Sequence, residues 1–316
     1  MTTLATDLIQ LGHTDVRTTP LGIGTWQWGD TLMWGYGKGY AEADLRRAFD
    51  TTVAAGITFF DTAEVYGFGK SERFLGQFIR ASGQPVIVAT KFFPLPWRLG
   101  KGSLLKALRG SLNRLGLAQV DLYQIHWPFP PVPIETWMDA LADAVQAGLT
   151  RTVGVSNYNV AQTRRAHAAL AKRGVPLASN QVEYSLLERT PERTGLLSLC
   201  QELGVTLIAY SPLRKGLLTG KYTPENPPAG TRNRIFRPDY LARIQPLIGR
   251  LREIGAAHDG KTPNQAALNW LICKGAAPIP GAKSARQAQE NAGALGWRLT
   301  AGEVAALDAA SDAVTR

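Results

Sequence analysis

The sequence is poor in cysteine and histidine, with two cysteines and four histidines in 316 residues. Cys200 and Cys273 lie far apart within apolar segments, so we expect buried thiols rather than a disulfide framework. Neither residue type shows the spacing of metal ligands, and we therefore expect no metal site.

The chain also lacks any apolar run of the roughly 18 to 20 residues that a membrane helix needs. Its first residues contain no basic segment followed by an apolar one, so we expect no signal peptide and a cytoplasmic protein. Hydrophobic residues make up 45% and charged residues 19% of the chain. This composition is typical of a soluble globular protein and excludes a disordered one.

The formal net charge is +10, but the basic residues are scattered. They form no run of five or six, and no aromatic residues alternate with them as in a nucleic-acid recognition module. We therefore expect no nucleic-acid partner. A scattered positive field also suits a small phosphorylated ligand.

Short β-branched or apolar runs alternate with amphipathic segments along the chain, which predicts a parallel sheet covered by helices. The predicted helices include residues 42–55, 103–115 and 263–273. The predicted strands are Leu21–Thr25, Ile57–Phe60, Val86–Thr90, Val120–Ile125, Arg151–Val155, Ala178–Val182, Val205–Ala209 and Ala277–Ile279.

Eight such strands fit an α/β fold, a closed (β/α)8 TIM barrel forming one domain over residues 1–316. The alternative is an open doubly wound sheet, but no GxGxxG opens a helix directly after a strand. We expect a hairpin before Pro20 and an extra C-terminal helix that begins near Thr300, with Glu303 completing a capping box. The long loop from Pro212 to Asp239 follows a strand, which favours a lid over a ligand.

Three polar residues directly follow predicted strands: Asp61, Lys91 and His126. Taken singly, they have ordinary explanations as a helix cap, a rim charge and a loop histidine. Barrel enzymes, however, assemble their catalytic groups from the ends of several strands. Because buried charges also need partners, we expect these three side chains to meet.

Four segments resemble signatures of the aldo-keto reductase superfamily. They are Gly56–Gly76, which contains Asp61-Thr-Ala-Glu-Val-Tyr66, then Arg151–Tyr158, Asn180–Tyr184 and Ala209–Leu213. The resemblance covers Leu21 to Asn291 and implies an NADP(H)-dependent oxidoreductase that reduces an aldehyde or ketone. One segment departs from the best-studied members, which carry a Lys-Ser pair and then an arginine that binds the 2′-phosphate after the last strand. Here Lys283 and Gln287 stand at those places, as in other branches of the family. The expected cofactor is still NADP(H), with NAD(H) as the less favoured alternative.

The resemblance and the chemistry together assign catalytic roles. Reduction of a carbonyl by hydride leaves negative charge on oxygen, which needs a proton donor already in place. Tyr66 is the candidate general acid, with a pKa that Lys91 would lower. Asp61 would hold Lys91, and His126 would orient the carbonyl.

The resemblance also implies the cofactor residues. Ser156, Asn157 and Gln181 would bind the carboxamide, Tyr210 would stack on the nicotinamide, and Arg232 and Lys283 would meet the 2′-phosphate. Glu290 and Asn291 would contact the adenine, and Ser211, Leu213, Gly216 and Lys221 the pyrophosphate. The remaining candidates are Gly24, Thr25, Trp26, Asp61, Pro212 and Gln287.

Several tryptophans follow different predicted strands, among them Trp28 and Trp34. A single tryptophan more often belongs to a core, but a group at a barrel mouth indicates an apolar or aromatic substrate pocket. The candidate substrate residues are Trp26, Tyr66, Trp97, His126 and Trp127.

Two other functions are open. The chain is similar to potassium-channel β-subunits, which implies a cofactor-binding redox sensor, but it shows no long N-terminal extension for channel block. A class I aldolase would use Lys91 as a Schiff base, which leaves Ser156 and Asn157 unexplained. For the reductase we expect a small-molecule carbonyl substrate, no membrane partner, and a monomer or weak homo-oligomer.

Overall fold

A computed structural model describes residues 8–228 and 236–315. Eight parallel strands lie side by side in chain order. They follow a two-stranded antiparallel hairpin made of β1 (Ile9–Gln10) and β2 (Arg17–Thr18). The parallel strands are β3 (Ile23–Gly24), β4 (Phe59–Asp61), β5 (Ile87–Phe92), β6 (Val120–Ile125), β7 (Thr150–Ser156), β8 (Leu177–Glu183), β9 (Thr206–Tyr210) and β10 (Ala277–Pro278).

Helices connect these strands and cover the outside of the sheet. In chain order they are α1 (Glu42–Ala54), α2 (Lys70–Ser82), α3 (Lys101–Leu115), α4 (Ile134–Gln146), α5 (Val160–Ala171), α6 (Thr190–Arg193), α7 (Leu196–Glu202), α8 (Pro238–Ala257), α9 (Pro263–Cys273), α10 (Ala285–Ala292) and α11 (Ala301–Thr315). None of those within the described ranges combines the length and the apolar character that a membrane crossing needs.

The sheet closes on itself. The N–H of Gly22 donates to Pro278 O at 3.0 Å, and that of Gly24 to Pro280 O at 3.1 Å. Gly24 also forms a parallel bridge with Gly281. The eight predicted strands and the (β/α)8 barrel are confirmed, with strand bounds that differ by a few residues.

The hairpin predicted before Pro20 is present, and it plugs one end of the barrel. Leu11 and Val16 are buried in one apolar cluster with strand residues that include Phe59, Ala89 and Leu122. Because side chains alternate along a strand, residues two further along share this interior face. The sequence therefore places Asp61 on the barrel axis above Phe59, and Lys91 above Ala89.

The C-terminal helix α11 is also confirmed. The hydroxyl of Thr300 accepts the N–H of Glu303 at 3.3 Å, and Glu303 accepts the N–H of Thr300 at 2.7 Å. This is the predicted capping box. Only part of the long loop after β9 lies within the described residues, and that part begins with a tight turn over Arg214–Thr219.

Candidate active site

A buried ion pair lies on the axis at the open end of the barrel. Lys91 is fully buried, and its Nζ donates to Asp61 Oδ1 and to Thr62 O, the latter at 2.8 Å. The same nitrogen lies 3.4 Å from the hydroxyl of Tyr66. The sequence prediction that Asp61 and Lys91 meet agrees with this arrangement, and the pair reaches Tyr66 as well.

Two amides hold the second oxygen of Asp61. Gln181 Nε2 donates to Asp61 Oδ2 at 2.8 Å, and Gln124 Nε2 donates at 3.3 Å. Sequence reasoning missed Gln124. It stands two residues before His126 on β6, so strand alternation could have placed it on the interior face beside Lys91, its register partner on β5.

The loop after β4 carries Tyr66 on a tight turn, Tyr66–Gly69. Gly67 has a positive φ of 55°, and a Cβ on it would lie 2.9 Å from the backbone of Gly29. A side chain there would therefore separate the Tyr66 loop from the loop after β3. That second loop supplies Trp26, whose ring centroid lies 6.3 Å from that of Tyr66.

The electrostatics differ from expectation at Tyr66. Burial raises its pKa well above the usual value, and the nearby Asp61 carboxylate raises it further. This direction is opposite to the sequence-based expectation that Lys91 lowers the pKa, because burial and the Asp61 charge both favour the neutral phenol. Tyr66 is therefore a neutral phenol at neutral pH.

The other two groups are also perturbed by burial. Burial lowers the pKa of Lys91, while Asp61 opposes that change. Burial lowers the pKa of His126 well below its usual value, and the charge of Lys91 adds to the effect. His126 is therefore a neutral imidazole, able to donate one hydrogen bond.

A cavity of about 540 Å³ opens at this end of the barrel. Asp61, Tyr66 and His126 line it, whereas Lys91 lies behind them and does not. Aromatic rings form one wall: Trp26, Trp34, Tyr66, His126 and Trp127.

The tryptophans predicted at the barrel mouth lie in different environments. Trp127 lines the cavity and stacks on Phe129, with centroids 5.5 Å apart. Trp28 is part of the core. Trp97 is 73% exposed and lies outside the cavity lining. Its place at a strand end therefore did not bring it to the predicted substrate wall.

A hydrogen-bonded group follows β7, β8 and β9. Ser156 Oγ donates to Gln181 O at 2.8 Å. Asn157 Nδ2 donates to His126 O at 3.0 Å, and its Oδ1 accepts the hydroxyl of Tyr210 at 3.0 Å. All four side chains line the cavity, so the predicted carboxamide and stacking residues lie together.

The rest of the cavity lining comes from the loop after β9 and from α10 with the residues just before it. The members are Ser211, Pro212, Leu213, Gly216, Lys221, Lys283, Gln287 and Asn291, with Gly24 and Trp26 opposite. Lys283 Nζ lies 4.3 Å from the centroid of the Tyr40 ring. Gln287 Oε1 accepts the N–H of Lys283 at 2.9 Å, which ties the helix to its preceding loop.

Two cofactor candidates within the described residues, Thr25 and Glu290, are not in this lining. The hydroxyl of Thr25 is buried against Ser71 at 2.7 Å and donates to Asp61 O at 2.9 Å. Glu290 accepts the hydroxyl of Thr262. Arg232 lies outside the described residues. Thr25 thus supports the strand ends from behind, and Glu290 faces α9 rather than the cavity.

The lining also contains residues that sequence reasoning did not select. Among these are Gln27, Lys215, Thr219 and Asn264. Lys215 and Thr219 belong to the predicted lid. The sequence therefore indicated their loop as part of a ligand site but did not indicate these two side chains. Gln27 and Asn264 lie on separate segments, and nothing in the sequence pattern joins them.

Comparisons with known proteins agree with this geometry. The sequence profile of the aldo/keto reductase family matches residues 20–312. The chloroplastic pyridoxal reductase of Arabidopsis thaliana is 45% identical over 309 residues, which is 94% of this chain and 84% of that protein. The chain therefore belongs to the aldo/keto reductase family and is an oxidoreductase.

Solved structures show the same fold. The glycerol dehydrogenase of Gluconobacter oxydans is 27% identical with a TM-score of 0.85, covering 99% of this chain and 97% of that one. An aldo-keto reductase of Klebsiella pneumoniae, solved in complex with NADPH, is 28% identical with a TM-score of 0.75, covering 96% and 95%.

Proposed function

We propose that the protein reduces an aldehyde or ketone to the alcohol with NADPH, using Tyr66 as the general acid. The observation that carries the proposal is the meeting of Tyr66 and His126 on one cavity wall, with Asp61 beside them in the lining and its partner Lys91 buried behind Tyr66. A proton donor and a second hydrogen-bond donor thus face the same space. This is what a carbonyl oxygen that gains negative charge requires.

Lys91 supports this role because it orients the hydroxyl of Tyr66. An ammonium has only donors, so Lys91 Nζ donates to the oxygen of Tyr66 across the 3.4 Å contact. The tyrosine must then direct its own O–H elsewhere, and the cavity is the direction left open. Once that proton has been given away, the same contact stabilises the phenolate.

The residues present fit a dinucleotide phosphate along the other side of the cavity. Among the described residues, Gln27 Oε1 and Asn264 Oδ1 are buried without a hydrogen-bond partner, although both side chains line the cavity. Because both atoms are acceptors, they suit the hydroxyl or amino donors of a bound dinucleotide rather than its phosphates. Lys215, Lys221 and Lys283 add cationic groups of the kind that phosphates need.

When bound, the nicotinamide would supply the hydride. Ser156, Asn157 and Gln181 would hold its carboxamide, with Tyr210 against the ring. Gln181 uses its Nε2 on Asp61, which leaves Oε1 to accept from the carboxamide. Lys283 and Gln287 would stand near the adenosine phosphate, and the Klebsiella pneumoniae relative solved with NADPH supports NADP(H) over NAD(H).

Pyridoxal is the first substrate to test. The Arabidopsis thaliana relative is named a pyridoxal reductase, and the wall of Trp26, Trp34 and Trp127 suits a flat aromatic aldehyde. The aldolase alternative has less support, because Lys91 is buried behind the cavity and holds three protein partners. A Schiff base would need that nitrogen to reach the substrate.

The test is NADPH oxidation over a panel of aliphatic, aromatic and sugar aldehydes, pyridoxal and quinones. Tyr66→Phe should lower kcat by about 100-fold or more and leave the dissociation constant of NADPH within about twofold. Tyr240→Phe, at a tyrosine on α8 away from the cavity lining, is the matched control. Full turnover by Tyr66→Phe would refute the acid assignment. NADPH binding without any carbonyl reduction would favour the redox-sensor alternative.

A further inference from the structure

A buried carboxylate lies between the Tyr66 loop and the end of β5. Glu64 stands three residues after Asp61 and two before Tyr66, and its side chain is 7% exposed. Its Oε1 accepts the N–H of Phe93 at 2.7 Å, and its own N–H points to Lys91 O at 3.4 Å. Glu64 thus joins the segment that carries the proposed acid to the segment that carries the lysine.

Arg98 completes this junction from the loop between β5 and α3. Its guanidinium binds both oxygens of Glu64, with Nη2 to Oε2 at 3.2 Å and Nη1 to Oε1. Nη1 also donates to Phe93 O at 3.0 Å. The pair therefore holds both backbone polar groups of Phe93. A planar two-pronged donor is needed for this, and lysine cannot replace it.

Phe93 transmits this restraint to His126. The edge of the Phe93 ring meets the imidazole, with centroids 5.4 Å apart and planes at 81°, and Tyr66 packs on the imidazole at 5.8 Å. Nδ1 of His126 is buried and has no hydrogen-bond partner among residues 8–228 and 236–315. A catalytic imidazole is usually oriented by a partner on its second nitrogen. In this site, the packing of Phe93 and Tyr66 against the imidazole must fix its orientation.

We propose that Glu64 and Arg98 are positioning residues that hold Phe93 against His126 and so fix the imidazole beside Tyr66. The inference rests on the proposed function for its kinetic consequence, but the orientation of His126 is measurable without substrate. A displacement of about 1 Å in a reacting group can cost about 100-fold in rate. Loss of the Glu64–Arg98 pair should therefore lower the rate of reduction by a larger factor than it lowers the affinity for the cofactor.

The test compares Arg98→Met with Arg165→Met, which removes an exposed ion pair to Glu135 far from the cavity. In cofactor-free protein, Arg98→Met should shift the imidazole proton resonance of His126, assigned by its loss in His126→Asn, and leave the other three histidines in place. In turnover it should lower kcat by about 10- to 100-fold and leave NADPH affinity within about twofold. The isotope effect with deuterated NADPH should rise, because hydride transfer becomes slower than the other steps.

Glu64→Gln is the second variant, and it serves alone if Arg98→Met does not fold. It keeps an acceptor for the Phe93 N–H but loses the charge that binds Arg98, so its kcat should fall by less than that of Arg98→Met. An unshifted His126 resonance with unchanged kcat in folded variants would overturn the inference. A loss of kcat that comes with an unchanged isotope effect and an equal loss of NADPH-binding sites would also overturn the inference. Such a result would mean only that fewer molecules are folded. If wild type reduces no carbonyl, the proposed function fails, and the His126 resonance alone decides the positioning role.

Discussion

Replacing Lys91 with methionine tests how the buried pair contributes to stability. Both side chains are almost wholly inaccessible, at 0% for Lys91 and 2% for Asp61. Removing one partner of a buried ion pair leaves an uncompensated charge and typically costs about 3–5 kcal/mol. Gln181 and Gln124 still donate to Asp61 Oδ2 in this variant. We therefore expect Lys91→Met to lower the free energy of unfolding by about 3 kcal/mol, near the lower end of this range.

The double variant Lys91→Met/Asp61→Asn distinguishes the interaction between the two charges from the effect of each single substitution. It removes both charges at similar volume, so neither charge is left buried without its partner. We therefore expect it to cost less than the sum of Lys91→Met and Asp61→Asn, with a coupling free energy of about 2 kcal/mol or more.

The assay is urea unfolding followed by tryptophan fluorescence and far-ultraviolet circular dichroism, with coincident curves as the check on a two-state transition. Arg165→Met is the control, because its ion pair with Glu135 is half exposed and such pairs contribute little. Strictly additive single-variant losses, or a Lys91→Met loss no larger than that of the control, would refute the reasoning.

Further predictions concern charge states and the cofactor. Between about pH 9 and 11, folded wild type and Tyr66→Phe should show the same phenolate absorbance change, because burial and Asp61 hold the pKa of Tyr66 well above 10. An extra titrating phenol in wild type would contradict this. Because the folded state then binds more protons than the unfolded state, the free energy of unfolding should fall as pH rises above about 10, and less steeply in Tyr66→Phe. The imidazole resonance of His126 should stay constant from about pH 8 to 5.5, because burial lowers its pKa; a midpoint near the usual value in an NMR titration would count against a neutral imidazole. Lys283→Ala should weaken NADPH about tenfold more than NADH, and equal losses measured by fluorescence would remove Lys283 from the phosphate site.

The barrel and its polar end were predictable because both follow from short-range pattern. Strand alternation places Asp61 above Phe59 and Lys91 above Ala89, and parallel strands bring such ends together. The resemblance then added Tyr66, which lies in a loop and has no periodic signal. Position along a strand was thus enough to find the ion pair but not the proposed acid beside it.

Other features depend on three-dimensional surroundings that sequence position does not encode. Trp97 and Trp127 both follow strands, but only Trp127 turns into the cavity. Glu290 and Asn291 are adjacent on α10, yet one faces Thr262 and the other lines the cavity. The direction of the Tyr66 pKa shift was wrong because it depends on desolvation, which no spacing of residues reveals. The single-domain arrangement, the cytoplasmic location and the monomeric or weakly oligomeric state stay predictions.

The raised pKa of Tyr66 changes how the Asp61–Lys91 pair should be understood. A group that must deliver a proton has to hold it until the substrate oxygen gains charge, and burial beside Asp61 ensures that it does. In the proposed mechanism, Lys91 then contributes in two ways that do not require an acidic resting phenol. It occupies the acceptor side of the hydroxyl at 3.4 Å, which directs the proton into the cavity, and its charge stabilises the phenolate only after transfer. Because Asp61 holds Lys91 on one oxygen and Gln181 on the other, the proposed cofactor contact and the proposed proton delivery would share one buried carboxylate. A substitution at Asp61 should therefore impair both together, whereas one at Tyr66 should impair only the second.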